Sequence, residues 1–491
     1  MEIGSVFGKK IHAIPSIKLN SSQIKRFFSK FNKNETLRLI CSLSKNIMFG
    51  PHLEDDRNII YTDKHLCDAV SLILKHCSGK EIPNKDDTKS ILKIAIGDSD
   101  KTILSSKQNP EYIFMKISYE QFKDDSFHSI ARTWALYKHI WPLAKTNIDP
   151  LQDIENIVGI PYIVILLYGL AAAISGGFFF EFDKEQIKDL SDIFKIPYKE
   201  NSHKLFLNWI SKDSEKWLKY SNPPHYISHP VFRTKLLLDG CNKDVYFVPS
   251  AYNVLNRVTT GIYHDLARKY RAKEKNLFKI DYGVVFEKYV GVLLQNHLEC
   301  LISPEIEYQD KKEQKKSIDY FLMDNRQLIL IEVKQSSIFA ESKYAPSEDL
   351  LKNDLDKNVS KAVKQLNETE KIILSKTIND FNTFFNAEKI IKLVIFCDPL
   401  ENANNICKGK LETTFNDLSN FEFINIEDLE MMLAYQKNRQ NFFELMFEKN
   451  TSYTKYDFNE FLCKKMGNES IDKSFLKKYY DEVFPEQFKA F

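Results

Sequence analysis

The run Leu328-Ile329-Leu330-Ile331-Glu332-Val333-Lys334 constrains the fold of this chain more than any other stretch. Apolar residues lead straight into alternating charge. In a strand, successive side chains point to opposite faces. Leu328, Leu330, Glu332 and Lys334 then share one face, and Ile329, Ile331 and Val333 share the other. A carboxylate and an ammonium project side by side from the end of an apolar strand. Burying such a pair is costly without partners or a metal. A second strand-like run, residues 317–323, comes before it, joined by Asp324-Asn325-Arg326. Antiparallel pairing through that turn sets Asp319 on the strand beside Glu332. Two carboxylates on neighbouring strands can hold a hard cation through oxygen, with Lys334 beside it.

The flanking pattern predicts a helix over 283–297, a Ser-, Lys- and Asp-rich loop over 336–350 and a helix over 355–375. Strands over 390–396 and 421–424 follow, then a helix over 426–435. That order is α/β, with a mixed central sheet and helices on both faces. Residues 440–491 read as helices with basic spots at Lys464-Lys465 and Lys477-Lys478. Residues 20–220 read as mostly helical, with apolar stripes such as Leu37, Leu39, Ile40 and Leu43. A hairpin turning at Asp239-Gly240 is expected over 235–248, and a helix over 252–272. A length of 491 residues allows two to four domains. The expected division is a mainly helical domain over 1–265, with a sensing or partner-binding role, and an α/β domain over 266–491 that ends in a helical extension.

Composition narrows the class. Hydrophobic residues make up 43% and charged residues 28%, as in soluble globular proteins. A net charge of +2 does not advertise nucleic-acid binding, so any such surface must come from local clustering. Eight cysteines without a CxxC pair, and no signal peptide, point to a reduced, cytoplasmic setting. His65, Cys67, His76 and Cys77 match no standard zinc spacing and read as core residues on and beside a helix. Residues 156–180 carry no charge and are long enough to span a bilayer. Pro161, Gly169, Gly176 and Gly177 interrupt them and acidic residues flank them, so a helix buried in the N-terminal domain, with no membrane partner, is expected.

Taken together, Ser317-Ile318-Asp319-Tyr320 and Glu332-Val333-Lys334 resemble the paired motifs of the PD-(D/E)XK nuclease superfamily, whose fold is that of restriction endonucleases. Ile318 stands where the superfamily's name has proline. Upstream, the segment from Gly283 to Val290 resembles the superfamily's first helix, with Glu287 as the residue that often faces the metal. Downstream, Lys361-Ala362-Val363-Lys364-Gln365-Leu366 resembles the Gln-containing helix of several branches. The resemblance covers about 275–440. It implies a restriction-endonuclease-like domain that hydrolyses phosphodiesters with Mg²⁺ or Mn²⁺. Asp319, Glu332, the carbonyl of Val333 and Glu287 would hold metal, and Lys334 and Gln365 would act on the scissile phosphate and the water.

Arg268, Lys269 and Arg271 precede the first nuclease-like helix, and Lys311, Lys312, Lys315 and Lys316 precede the Asp319 strand. With Lys361 they are candidate phosphate contacts, whose binding would be salt-dependent. DNA is favoured over RNA as the nucleic-acid partner. An unfamiliar helical half joined to such a domain suggests, by analogy, a bacterial anti-phage or anti-plasmid effector. A partner protein from the same defence cluster and a homo-oligomer are both compatible with it. The alternative is a nuclease-fold subunit without activity that binds nucleic acid or a protein.

Overall fold

The computed structural model describes residues 2–6, 9–12, 16–49, 63–104, 126–180, 192, 201–219, 228–238, 241–271, 275–310, 312–336, 342, 348–397, 400, 402–436, 441–454, 456–466 and 474–484. Lys273, Lys311, the Asp239-Gly240 turn and most of the 336–350 loop lie outside them. A hairpin, β1 (Glu2–Val6) and β2 (Lys9–His12), comes first. Four helices follow: α1 (Ser21–Phe28), α2 (Lys33–Phe49), α3 (Asp63–His76) and α4 (Lys85–Leu104). Next are α5 (Ser126–Trp134), α6 (Pro150–Val158), α7 (Tyr162–Ile174), β3 (Phe178–Phe180), α8 (Ser202–Ile210), β4 (Ser211–Asp213) and α9 (Ser214–Lys219). Strands β5 (Val231–Leu238) and β6 (Cys241–Phe247) form the expected hairpin. They extend into a four-stranded sheet, β3-β6-β5-β4, which the sequence did not announce.

The predicted helix over 252–272 is two helices, α10 (Ala251–Val258) and α11 (Ile262–Lys269). Thr259 leaves helical geometry between them, and its hydroxyl bonds back to the Leu255 carbonyl. Helix α12 (Leu277–His297) starts earlier than predicted because the Asn276 side chain caps it, accepting from the Lys279 N–H. Then come β7 (Leu301–Pro304), β8 (Glu307–Asp310), β9 (Glu313–Lys316), β10 (Tyr320–Asp324) and β11 (Gln327–Lys334). The predicted helix over 355–375 divides at Val359 into α13 (Glu348–Asn358) and α14 (Ser360–Ser375). The chain closes with β12 (Lys389–Phe396), α15 (Ala403–Leu411), β13 (Phe421–Asn425), α16 (Ile426–Gln436), α17 (Phe442–Ser452), α18 (Phe458–Met466) and α19 (Ser474–Val483).

The central sheet is mixed, in the order β13-β12-β11-β10-β7. Strand β11 is its axis. It runs antiparallel to β10 and parallel to β12, and β13 is parallel to β12. Asn325 makes the β10–β11 turn in the left-handed region at φ 53°, which asparagine tolerates better than most residues. Residues of alternating parity enter opposite cores. Ile329, Ile331, Val333 and Leu393 pack with α12 and α16. Leu328, Leu330, Val394 and Phe396 pack with α13, α14 and α15. The chain is thus a mixed α/β protein, with a helix-rich N-terminal region and a sheet covered by helices on both faces.

The N-terminal region does not stand apart from that sheet. Trp141, Ile165, Val258 and Ile262 share one continuous core with Phe278, Tyr289, Ile331 and Leu433, so apolar packing crosses residue 265. A buried charge network reinforces it. Arg132 on α5 forks onto Glu430 at 2.7 and 2.6 Å and reaches Glu427 at 2.8 Å. The Tyr289 hydroxyl donates to Glu430 at 2.8 Å. The long uncharged stretch is not one helix. It breaks at Gly159 (φ 88°) and Pro161, and α6 and α7 are bent by 61°. Among the described residues no single helix is long and apolar enough to cross a membrane, although that bent pair passes by length and composition. Helix α7 is buried in the shared core, where Gly169 lets it approach Val258 of α10: a methyl group there would overlap the valine.

Arg132→Ala would leave Glu430 buried and uncompensated. Removing one partner of such a pair destabilises by about 3–5 kcal/mol. Urea titration of the full chain should show that loss, and an unchanged midpoint would refute the role given to this network.

Candidate active site

The hairpin β10–β11 builds the site. Tyr320 pairs with Ile331, so one step outward Asp319 faces Glu332. Asp319 lies in the bend just before β10, one residue outside the strand it was expected to occupy. There its Oδ2 accepts the Val333 N–H at 2.7 Å and extends the ladder with a side chain. Glu332 is only 2% exposed. Lys334, two residues on and on the same strand face, gives its ammonium to Glu332 Oε1. The other carboxylate oxygen, Glu332 Oε2, is buried with no hydrogen-bond partner among the described residues.

Glu287 joins from α12. It is half-buried, and its carboxyl is pushed up to about 7, first by burial and then by the charges of Asp319 and Glu305, against Lys316 and Lys334. The Glu332 carboxyl is likewise pushed up to about 7 by burial and by Asp319, against Lys334. Asp319 is raised by burial, while the Val333 N–H and Lys334 pull it down. These groups feel one another, so one end of the β10–β11 hairpin collects Asp319, Glu332, Lys334 and Glu287. Helix α12 comes close because Gly291 allows it. A methyl group there would overlap the Tyr320 hydroxyl, which donates to the Glu287 carbonyl at 3.1 Å. A methyl group at Gly283, two turns earlier, would meet Gln335 at 3.7 Å, an ordinary contact.

Gln365 sits on α14, which covers the face from which Leu328, Leu330 and Glu332 project. Its Oε1 is buried and, among the described residues, has no partner. Lys361, one turn earlier, is exposed. The basic candidates are less free than their sequence suggests. Lys269 is paired with Asp153, Lys315 with Asp310 at 2.7 Å, and Lys316 with Glu305 at 2.7 Å. Arg268 is 75% exposed and only 3.6 Å from Asp265, and Arg271 is exposed. Val333, whose carbonyl was the expected metal ligand, gives its N–H to Asp319 Oδ2. His65 and Cys67 are buried on α3, and burial holds His65 down at about 3. Three contributors carried no sequence signal: Glu305, in the turn between β7 and β8; Gln335, just past Lys334; and Tyr263 on α11, whose hydroxyl accepts from the Gln335 amide.

Among the described residues no three His, Cys, Asp or Glu side chains converge tightly enough to ligate one ion. The Lys334 ammonium instead supplies the counter-charge at Glu332. The donor set still suits a hard divalent cation. It is all oxygen, it is crowded with negative charge, and one buried oxygen has no partner among the described residues. No family model matches this chain, and neither the search of curated proteins nor that of solved structures returns a match.

Glu332 and Glu287 have folded-state values raised above the usual 4.5, so they favour the fold when protonated. That contribution is complete below about pH 4.5 and is lost as pH rises through about 7. Without divalent cations, Glu332→Gln should raise the melting temperature at pH 8 and leave it nearly unchanged at pH 4.5. Mn²⁺ should stabilise the wild type at pH 8 and do so much less for the variant. A wild-type melting temperature at pH 8 that ignores Mn²⁺ would argue against a cation site.

Proposed function

We propose that this chain is a metal-dependent nuclease of the PD-(D/E)XK type that hydrolyses phosphodiester bonds, with DNA as the favoured substrate. The observation that carries the reading is the buried Glu332. Among the described residues one of its oxygens has no partner, and it is flanked by Asp319 across the hairpin and by Lys334 on its own strand. The restriction-endonuclease-like assignment of the α/β region belongs to the same proposal and rests on the motifs and on this geometry.

Asp319 and Glu332 are the residues that would hold Mg²⁺ or Mn²⁺, and a bound ion would polarise the phosphate and acidify a water. With a cation held at Glu332, Lys334 would be the ammonium placed to stabilise charge developing on the phosphate. Glu287, near 7, can take or give a proton at neutral pH, which is what general acid–base work requires. Gln365, whose buried carbonyl oxygen has no partner among the described residues, can orient a water. An anti-phage or anti-plasmid role is the setting this proposal favours.

A second reading, a nuclease fold that binds nucleic acid or a protein without cutting, draws on one observation. Among the described residues the carboxylates are not gathered into a preformed ion site, and the lysines nearest them are paired. Incubation with circular duplex DNA, linear DNA and tRNA, with Mg²⁺ and with EDTA, separates the two readings. EDTA-sensitive cleavage that Asp319→Asn or Glu332→Gln abolishes supports the nuclease. Tight binding without cleavage supports the alternative. In the active case Lys334→Ala should lower the single-turnover rate about 10²–10³-fold with substrate affinity nearly unchanged. Lys312→Ala, at an exposed surface residue, should change only salt-sensitive affinity.

A further inference from the structure

A closed circuit of contacts surrounds the chain just past Lys334. The Lys334 carbonyl accepts the Cys397 N–H at 3.0 Å. The Cys397 sulfur is 3.4 Å from the Tyr282 hydroxyl. The Tyr282 ring meets the Tyr263 ring edge-on, with centroids 5.0 Å apart. The Tyr263 hydroxyl accepts from the Gln335 amide, and Gln335 follows Lys334 in the chain. Tyr263 also packs on Phe278 at 5.4 Å.

Two of these partners, Phe278 and Tyr282, belong to α12, the helix that carries Glu287. Gln335 and Cys397 extend β11 and β12, the strands at the heart of the sheet. Tyr263 alone in the circuit comes from the N-terminal region, on α11. One half-buried side chain therefore touches both elements on which the candidate catalytic groups ride. We propose that Tyr263 is a positioning residue through which the N-terminal region fixes Lys334 relative to Glu287, an inference that rests on the nuclease reading.

The physical basis is the reach of a rigid ring with one polar end. The ring packs on α12 while the hydroxyl holds Gln335, so the end of β11 and the helix are set by a single group. Gln335 is long and would sample several rotamers without an acceptor. Freedom at residue 335 passes directly into the backbone of Lys334. Supporting residues behind a reactive group are typically worth about 10–100-fold in activity or metal affinity.

The test uses the full chain with Tyr263→Phe and Gln335→Met, which delete the acceptor and the donor while keeping bulk. Each variant should cut single-turnover cleavage about 10-fold or more, with unchanged substrate Kd and a melting temperature close to wild type. The double variant should lose no more than the worse single variant, because both break one interaction. Wild-type rates in both single variants overturn the inference, as do losses that multiply in the double variant. A rate loss that only tracks a fall in melting temperature also overturns it, since it would mark a structural role. If Tyr263→Phe does not fold, Gln335→Met carries the same comparison. Wild-type protein that cleaves nothing with Mg²⁺ or Mn²⁺ overturns the nuclease reading and this inference with it. Wild-type cleavage with unaffected variants overturns this inference alone.

Discussion

Glu332 follows the apolar run from Leu328 to Ile331 on a central strand that enters two cores, and its charge has to be balanced there. An isolated buried carboxylate costs several kcal/mol, roughly, even after relaxation. The chain meets that cost in two ways. Lys334 brings an ammonium from two residues away, where strand alternation puts it on the same face. Asp319 adds repulsion across the hairpin, and the Val333 N–H offsets part of the cost of Asp319's own charge. The Glu332 carboxyl itself moves up to about 7, so a proton can complete the neutralisation. The Lys334 pair is local to β11, while the approach of Asp319 needs β10 and β11 in one register. A slip of one residue would carry Glu332 to the opposite face.

That register is held by material far from the site. The core on the α12 side continues through α7, α10 and α11, so the N-terminal region helps to cover the sheet. The Arg132–Glu430–Tyr289 network ties α5 to α16 and α12. A division near residue 265 therefore cuts through a shared core and a buried ion network.

How much was legible in the sequence follows from the range of each interaction. Strands β10 and β11 could be read because both their alternation and their turn are local. The helices carrying Glu287 and Gln365 could be read because their apolar stripes are local too. The breaks at Thr259 and Val359 could not, since no proline or glycine marks the residue itself. Glu305 lies in a short turn with no periodicity, and its part in the site comes only from the return of the chain at Asp319. Tyr263 and Gln335 are 72 residues apart, and no pattern along the chain links a helix tyrosine to the end of a strand. The resemblance found the charged centre. It gave no access to what holds that centre in place.

Two other buried charges on the same sheet show why Glu332 is different. Lys392 on β12 is 3% exposed, and its ammonium bonds Asn367 at 2.8 Å and Glu370 at 2.7 Å. Glu422 on β13 is fully buried. Its Oε1 takes Lys408 at 3.4 Å and Asn450 at 2.9 Å, and its Oε2 takes Lys449 at 3.0 Å. Lys392 is thus fully engaged, and both oxygens of Glu422 are bonded. Buried polar atoms in folded proteins are nearly always satisfied, and exceptions call for a reason. Among these three, only Glu332 keeps an oxygen unpartnered among the described residues, and its neighbours Asp319 and Glu287 add negative charge where the other two charges meet compensation. That unpartnered oxygen, beside the negative charges of Asp319 and Glu287, is the observation on which the proposal of a cation site at Glu332 rests.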